Sequence, residues 1–201
     1  MNRRAFTMLA SAAAILLLPA GVSHAEPKVG SPAPAFSALN SDGKTVNLAD
    51  YRGKTIVLEW TNDGCPYVRK HYGTGNMQAL QKKWTDQGIV WLSVISSPPG
   101  EQGFADGARA NALTAERKAS PSAVLLDPKQ QVARAYGAVC TPHLFIVTGG
   151  KIVYEGRVDD NWKEPAAAKS RDLRDAVAAV VAGQPVRNPR TNPMGCSIKW
   201  K

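Results

Sequence analysis

Three cysteines, Cys65, Cys140 and Cys196, carry most of the chemistry open to this chain. Cys65 is followed by Pro66 and preceded by the apolar, β-rich run Thr55-Ile56-Val57-Leu58-Glu59-Trp60. A run of that kind reads as a buried strand. Proline suits the first helical turn, where its missing N–H costs nothing. Cys65 is therefore expected at a helix N-terminus, where unpaired N–H groups and the positive end of the dipole favour a thiolate. Only the thiolate is a good nucleophile. A buried structural cysteine beside a helix-starting proline is the competing reading.

A second feature is Cys140-Thr141-Pro142-His143, directly before the apolar run Leu144-Phe145-Ile146-Val147. Proline cannot donate to a strand ladder. A cis Thr141-Pro142 bond would expose the preceding backbone to a partner, and a trans proline at a strand start is the alternative. Cys196 lies in Gly195-Cys196-Ser197-Ile198-Lys199-Trp200-Lys201. Oxidation of a thiolate gives a sulfenic acid that must condense with another thiol or over-oxidise. Val68, three residues after Cys65, supplies none, so Cys140 and then Cys196 are the candidates. The thirteen residues from Gly183 to Cys196 reach roughly 43 Å when extended, so length does not exclude the tail.

The elements that position these residues follow from pattern. Phe36–Leu39 and Lys44–Leu48 flank the turn signal Asn40-Ser41-Asp42-Gly43 and predict a hairpin. Met77, Leu80 and Trp84 have helical spacing. Ile89–Ile95 is a near-continuous apolar strand of the kind buried on both faces. Phe104–Lys118 reads as a mostly polar helix, Ala123–Leu126 as a short strand, and Val132–Tyr136 as a helix capped by Gly137. Leu144–Val147 and Lys151–Val158 form a second hairpin about Gly149-Gly150. Leu173, Val177, Val180 and Val181 mark a last amphipathic helix that stops at Gly183. The fold class is α/β, with a central mixed sheet flanked by helices, an N-terminal β-hairpin and an extended C-terminal tail. Gly43-Lys44-Thr45 and Gly53-Lys54-Thr55 lack the earlier glycine of a phosphate loop.

Val29-Gly30-Ser31-Pro32-Ala33-Pro34-Ala35-Phe36, Gly53-Lys54, Cys65-Pro66, the Ala138–Phe145 segment and the Gly195–Lys201 tail together resemble exported redoxins of the thioredoxin superfamily. The chain is similar to the alkyl hydroperoxide reductase/thiol-specific antioxidant (peroxiredoxin) family. The resemblance implies a thioredoxin-like fold, a cis Thr141-Pro142 bond beside Cys65, and thiol redox chemistry. It also has departures. Val68 stands where Cys-X-X-Cys would place a second cysteine, which excludes dithiol exchange within the motif. Asn62, not threonine, stands three residues before Cys65, with Thr61 one further back. Pro142 falls where the family carries an arginine, and Leu58 where it carries an earlier proline. An attacked peroxide needs hydrogen-bond donors; Asn62, Thr61 and Arg69 are the candidates for substrate binding, with Thr141 and Pro142.

Met1-Asn2-Arg3-Arg4, the apolar Met8–Ala20 and a small-residue site ending at Ala25 read as a secretory leader. The paired arginines leave Sec and twin-arginine export both open, and the apolar run is too short for a stable membrane span. Export to the periplasm would put the cysteines where disulfides persist. The divisions are residues 1–25 as leader, 26–183 as redoxin domain and 184–201 as tail. Without Arg3 and Arg4, 23 of the 25 basic residues face 16 acidic ones. They are scattered, so no nucleic-acid partner is expected. No cofactor is called for.

The reading is an exported thiol oxidoreductase acting on a peroxide or a disulfide through Cys65, with an external thiol as reductant. The alternative is a thiol-based copper-binding or redox-sensor module using Cys65, Cys140 and His143, since thiolate and imidazole suit soft metals. His71 flanks the first cysteine segment, and Asp159-Asp160 reads as a loop.

Overall fold

The computed structural model describes residues 27–161 and 163–201. The leader expected over residues 1–25 lies outside them. Nine strands and five α-helices are present among the described residues, in the order β1 (Ser37–Asn40), β2 (Thr45–Asn47), β3 (Ile56–Trp60), α1 (Pro66–Gly73), α2 (Asn76–Thr85), β4 (Val90–Ile95), α3 (Gly107–Glu116), β5 (Ala123–Leu126), α4 (Gln131–Tyr136), β6 (Cys140–Thr141), β7 (His143–Thr148), β8 (Lys151–Gly156), α5 (Asp172–Val181) and β9 (Cys196–Ser197). Seven strands form one mixed sheet in the order β2-β1-β5-β4-β3-β7-β8, and β6 pairs with β9 apart from it. Strands β3, β4 and β5 run parallel, while β7 and the two hairpins are antiparallel.

β3 lies inside the sheet between β4 and β7, and every residue of it is buried. Side chains alternate across a strand. Ile56, Leu58 and Trp60 therefore join one apolar cluster, with Phe145, Val147 and the α4 residues Val132, Ala133 and Tyr136. Val57 joins the opposite cluster, with α1, α2 and α5 through Val68, Met77, Trp84, Leu173 and Val177. Burial on both faces explains the apolar run in the sequence.

The polar helix expected over Phe104–Lys118 is shorter. It begins at Gly107 because Asp106 caps it, accepting the Arg109 N–H at 2.8 Å. It ends at Glu116, and Lys118 turns to φ 53°.

The tail crosses the molecule in two docked pieces. Glu155 N–H donates to the Pro189 carbonyl at 2.9 Å, and Thr191 N–H donates back to Glu155 at 3.0 Å. The Thr191 hydroxyl accepts from the Arg157 N–H at 3.0 Å. After Asn192-Pro193-Met194 the second piece begins, and β9 pairs antiparallel with β6, Cys140 opposite Ser197 and Thr141 opposite Cys196. Ile198 is buried in the core, whereas Trp200 stays 43% exposed with the Arg134 guanidinium over its ring. Among the described residues no helix is long and apolar enough to cross a membrane.

Candidate active site

β3 delivers the chain to the site. Thr61 N–H still donates to Val94 on β4, and then the loop 61–64 turns toward α1. Asn62 fixes that loop. Its Oδ1 accepts the Gly64 N–H at 2.8 Å, and its Nδ2 donates to the Gln102 carbonyl at 3.0 Å. Gln102 in turn donates to the Gly64 carbonyl. Gly103, at φ 84°, lies so close to Asn62 that a Cβ there would collide with its amide. Exposed Arg69 donates from Nε to the Asp63 carbonyl at 2.7 Å, one helical turn past the cysteine. Asn62 and Arg69 are thus both committed to the loop that carries Cys65.

Cys65 is the N-cap of α1, with Pro66 in the first turn, and is fully buried. The Thr141-Pro142 bond is cis, and the Thr141 carbonyl accepts from the Cys65 thiol at 3.0 Å. Burial alone pushes the thiol up. Against it, the Cys196 thiol, the Val68 N–H, the Thr141 side chain and the Cys196 N–H all face the sulfur, and together they bring its pKa below the ordinary 9.0. The Thr141 carbonyl, which accepts the thiol proton, opposes the thiolate. The Thr141 hydroxyl is buried beside the site with no hydrogen-bond partner.

The other two thiols are shifted the opposite way. Burial pushes Cys196 up to about 11, reinforced by its bond to Cys65 and the charge there. Burial, with the charge on the other two sulfurs, pushes Cys140 up to about 12. Cys140 turns its thiol to the Pro142 carbonyl at 3.7 Å. Cys65 is therefore the most acidic of the three thiols, and Cys196 is the thiol that bears on it most directly. All three cysteines are free.

Among the described residues no three His, Cys, Asp or Glu side chains form a group that could hold a metal ion. His143 is buried, accepts the Val139 N–H at Nδ1 (3.3 Å), stacks on Phe145 and is held down to about 3 by burial and then by Arg190. Asp159 and Asp160 accept N–H groups from Asn161 and from Lys169 and Ser170, which ties down their own loop. His71 lies 3.9 Å from Asp159; burial, then Lys70, holds it down to about 4, so it is neutral near pH 7.

Sequence reasoning passed over Glu59, a fully buried carboxyl on β3 six residues before Cys65. Tyr72 Oη (2.8 Å), Trp91 Nε1 (2.7 Å), Gln81 Nε2 (3.1 Å) and Ser93 Oγ (3.3 Å) all donate to it. Its signal was present: an acidic residue inside an apolar central strand has to be paired.

The family model for the AhpC/TSA family matches residues 29–155, which includes Cys65 and the Cys140–Phe145 segment. The chain belongs to the AhpC/TSA family. This redoxin is 29% identical over 113 residues to a Haemophilus influenzae protein carrying the name peroxiredoxin bcp, a match covering 54% of this chain and 64% of that one. Its fold is similar to that of a conserved Geobacillus kaustophilus protein (28% identity, 87% of this chain and 93% of that one, TM-score 0.77). The fold also matches the thioredoxin domain of a thiol-disulfide oxidoreductase from Bacteroides vulgatus, at 24% identity over 77% of this chain and 98% of that one, with TM-score 0.55. The AhpC/TSA redoxin has a thioredoxin-like fold, with a central mixed sheet flanked by helices.

Proposed function

We propose that this redoxin is an enzyme that cycles Cys65 and Cys196 between dithiol and disulfide, reducing a peroxide or exchanging a disulfide. The observation that carries the reading is geometric: the Cys65 thiol lies 3.0 Å from the Thr141 carbonyl, and β9 sets Cys196 opposite Thr141; the surroundings then shift Cys65 down and Cys196 up. A low-pKa thiolate attacks, and a protonated thiol beside it is held for the second step. Cys65 is the nucleophile and Cys196 the resolving thiol. Cys140, the first candidate by sequence, turns its thiol to the Pro142 carbonyl. The buried Thr141 hydroxyl is a donor available beside the nucleophile, while Asn62 and Arg69 hold its loop. Thr61, whose buried hydroxyl has no partner, is a donor available to a small oxidant. Pro142 sets the direction of the Thr141 carbonyl.

An external thiol returns the disulfide to the dithiol. We place the protein in an exported, periplasmic setting on its leader sequence, with residues 26–183 as the redoxin domain and 184–201 as the tail. The test is turnover with hydrogen peroxide and with a small disulfide, dithiothreitol as reductant, wild type against Cys65→Ser, followed by disulfide mapping by peptide mass. A Cys65–Cys196 link formed on oxidation is expected. A constitutive Cys140–Cys196 link that neither peroxide nor reductant alters would overturn the scheme.

A further inference from the structure

β9 sits on an edge that an incoming peptide would need. An extended chain binds a protein by adding a strand to an exposed edge, with main-chain bonds giving affinity. The edge nearest Cys65 is β6, because the Thr141 carbonyl lies on the Cys65 sulfur. β9 already pairs with β6, and Ile198 N–H extends the ladder to the Val139 carbonyl at 3.1 Å. Cys196 stands opposite Thr141, where the cysteine of a docked peptide would stand. The approach is close enough to require glycine: a Cβ on Gly195 would run into the Thr141 carbonyl.

The strand is clamped from outside. Gln130 donates to the Lys199 carbonyl (2.5 Å) and accepts the Lys201 N–H (3.0 Å), and Arg134 donates to the Lys201 carbonyl (2.7 Å). The upstream piece, through Thr191, is bolted separately to β8. Displacing β9 from β6 therefore leaves Thr191 in place and lets only the last ten residues swing. Five residues of extended chain from Thr191 span about 17 Å, so a released Cys196 stays near Cys65.

Resting on the reading of Cys65 as the reacting sulfur, we infer that β9 is a tethered stand-in for a peptide, which makes the reduced enzyme selective for small peroxides over protein disulfides. A peroxide has no backbone to place on β6 and needs only a side-chain-sized opening, whereas a peptide disulfide must first displace β9. The Cys65 thiolate attacks one peroxide oxygen, and the O–O bond breaks as the S–O bond forms. The second oxygen leaves and takes a proton to become water, so sulfur loses two electrons and the peroxide gains them. The Cys196 sulfur then displaces the sulfenic oxygen. An S–S bond forms, the S–O bond breaks, and the thiol proton leaves with that oxygen as a second water.

The test uses the reduced, leader-free chain in single-turnover reactions with hydrogen peroxide and, separately, with a synthetic disulfide-linked peptide dimer. Gly195→Val forces β9 off Thr141 while keeping Cys196. The variant is expected to react with the peptide disulfide about tenfold faster than wild type, and with peroxide about tenfold slower for want of the tail's donors. Ile198→Asp, which unseats the same strand from the core, should shift the ratio in the same direction. Equal peptide rates in wild type and in both variants, with peroxide still consumed, would overturn the inference and leave the proposed function standing. Peroxide consumption unaffected by Cys65→Ser would instead remove the reading on which both rest. Thermal melts identify a variant that has failed to fold, and the other then decides.

Discussion

Two buried acids stand six residues apart along the chain, and the protein shifts them in opposite directions. Glu59, at the heart of β3, has its carboxyl pushed above its ordinary 4.5 by burial, even though Trp91, Tyr72 and Gln81 donate to it. Cys65, at the end of the following loop, is pulled below its ordinary 9.0 despite burial. The difference lies in what the donors are attached to. The donors to Glu59 come from α1, α2 and β4, elements packed in the core. For Cys65, two of its donors come from Cys196, on a two-residue tail strand held by β6, by Ile198 in the core and by Gln130 and Arg134 of the α4 region. A polar group surrounded by fixed donors is structural, because nothing can reach it or leave. One surrounded partly by a detachable strand can exchange its partner for a substrate.

The largest effect expected from breaking this comparison is at Cys65. Cys65→Ser should lower peroxide-dependent turnover about a thousandfold or more, since a serine hydroxyl in this site has no base to activate it. Cys140→Ser should stay within about threefold of wild type, because its thiol is held neutral and faces Pro142. Coupled turnover assays with intact folding by circular dichroism check both, and equal losses at the two positions would break the asymmetry.

Glu59→Ala comes next and should cost stability, not chemistry. It orphans the indole of Trp91 and the amide of Gln81 in the core, and losing one side of such a network costs about 3 kcal/mol. Urea melts read this, and a loss under about 1 kcal/mol would show that the network is not a fixed floor. Cys196→Ser should be milder in folding yet visible in chemistry. The first peroxide reaction survives, but Cys65 accumulates as sulfinic acid, seen by mass as a two-oxygen addition. If over-oxidation matches wild type, Cys196 does not resolve.

Much of this was legible in the sequence, for identifiable reasons. β3 and β4 are apolar on both faces, so their period could not be mistaken. Gly137 at φ 62° and Gly183 at φ 67° end α4 and Tyr136's neighbours and α5 where glycine is the residue that fits. Cys65-Pro66 announced a helix N-terminus because proline at that position has one main use. The docking of the tail on β6 was not legible. Cys140 lies nearer to the proline in sequence, and in the fold the Thr141 carbonyl is the group turned to the Cys65 sulfur. Cys196 reaches the site through a two-residue strand, too short to leave a pattern in the sequence. The α3 start was misplaced because Phe104 resembles a helix residue, while the cap that decides the boundary is Asp106.

The smallest effect is the sharpest test, because the two acids must give opposite signs. Glu59 is raised in the fold, so between 4.5 and its folded value the native state holds a proton that the unfolded chain has released. Its contribution is fully present below 4.5 and is lost as pH rises through that window. Cys65 is lowered, so the unfolded chain holds the proton in the window below 9.0. Its contribution is present above 9.0 and lost as pH falls through the folded value. Asp159, raised to about 6 by burial, adds to the first trend, and His71, lowered to about 4, opposes it. Cys196, raised to about 11 mainly by burial, opposes the Cys65 trend above 9. The clean measurement is therefore a difference between proteins at each pH. Urea midpoints of wild type and Glu59→Gln, taken from pH 4 to 8, should converge as wild type loses its acid-side advantage with rising pH. Midpoints of wild type and Cys65→Ser, taken from pH 6 to 9 under reducing conditions, should move apart in favour of wild type as pH rises. If both differences slope the same way, Glu59 and Cys65 are not shifted in opposite senses, and the contrast between fixed and detachable donors has no energetic basis.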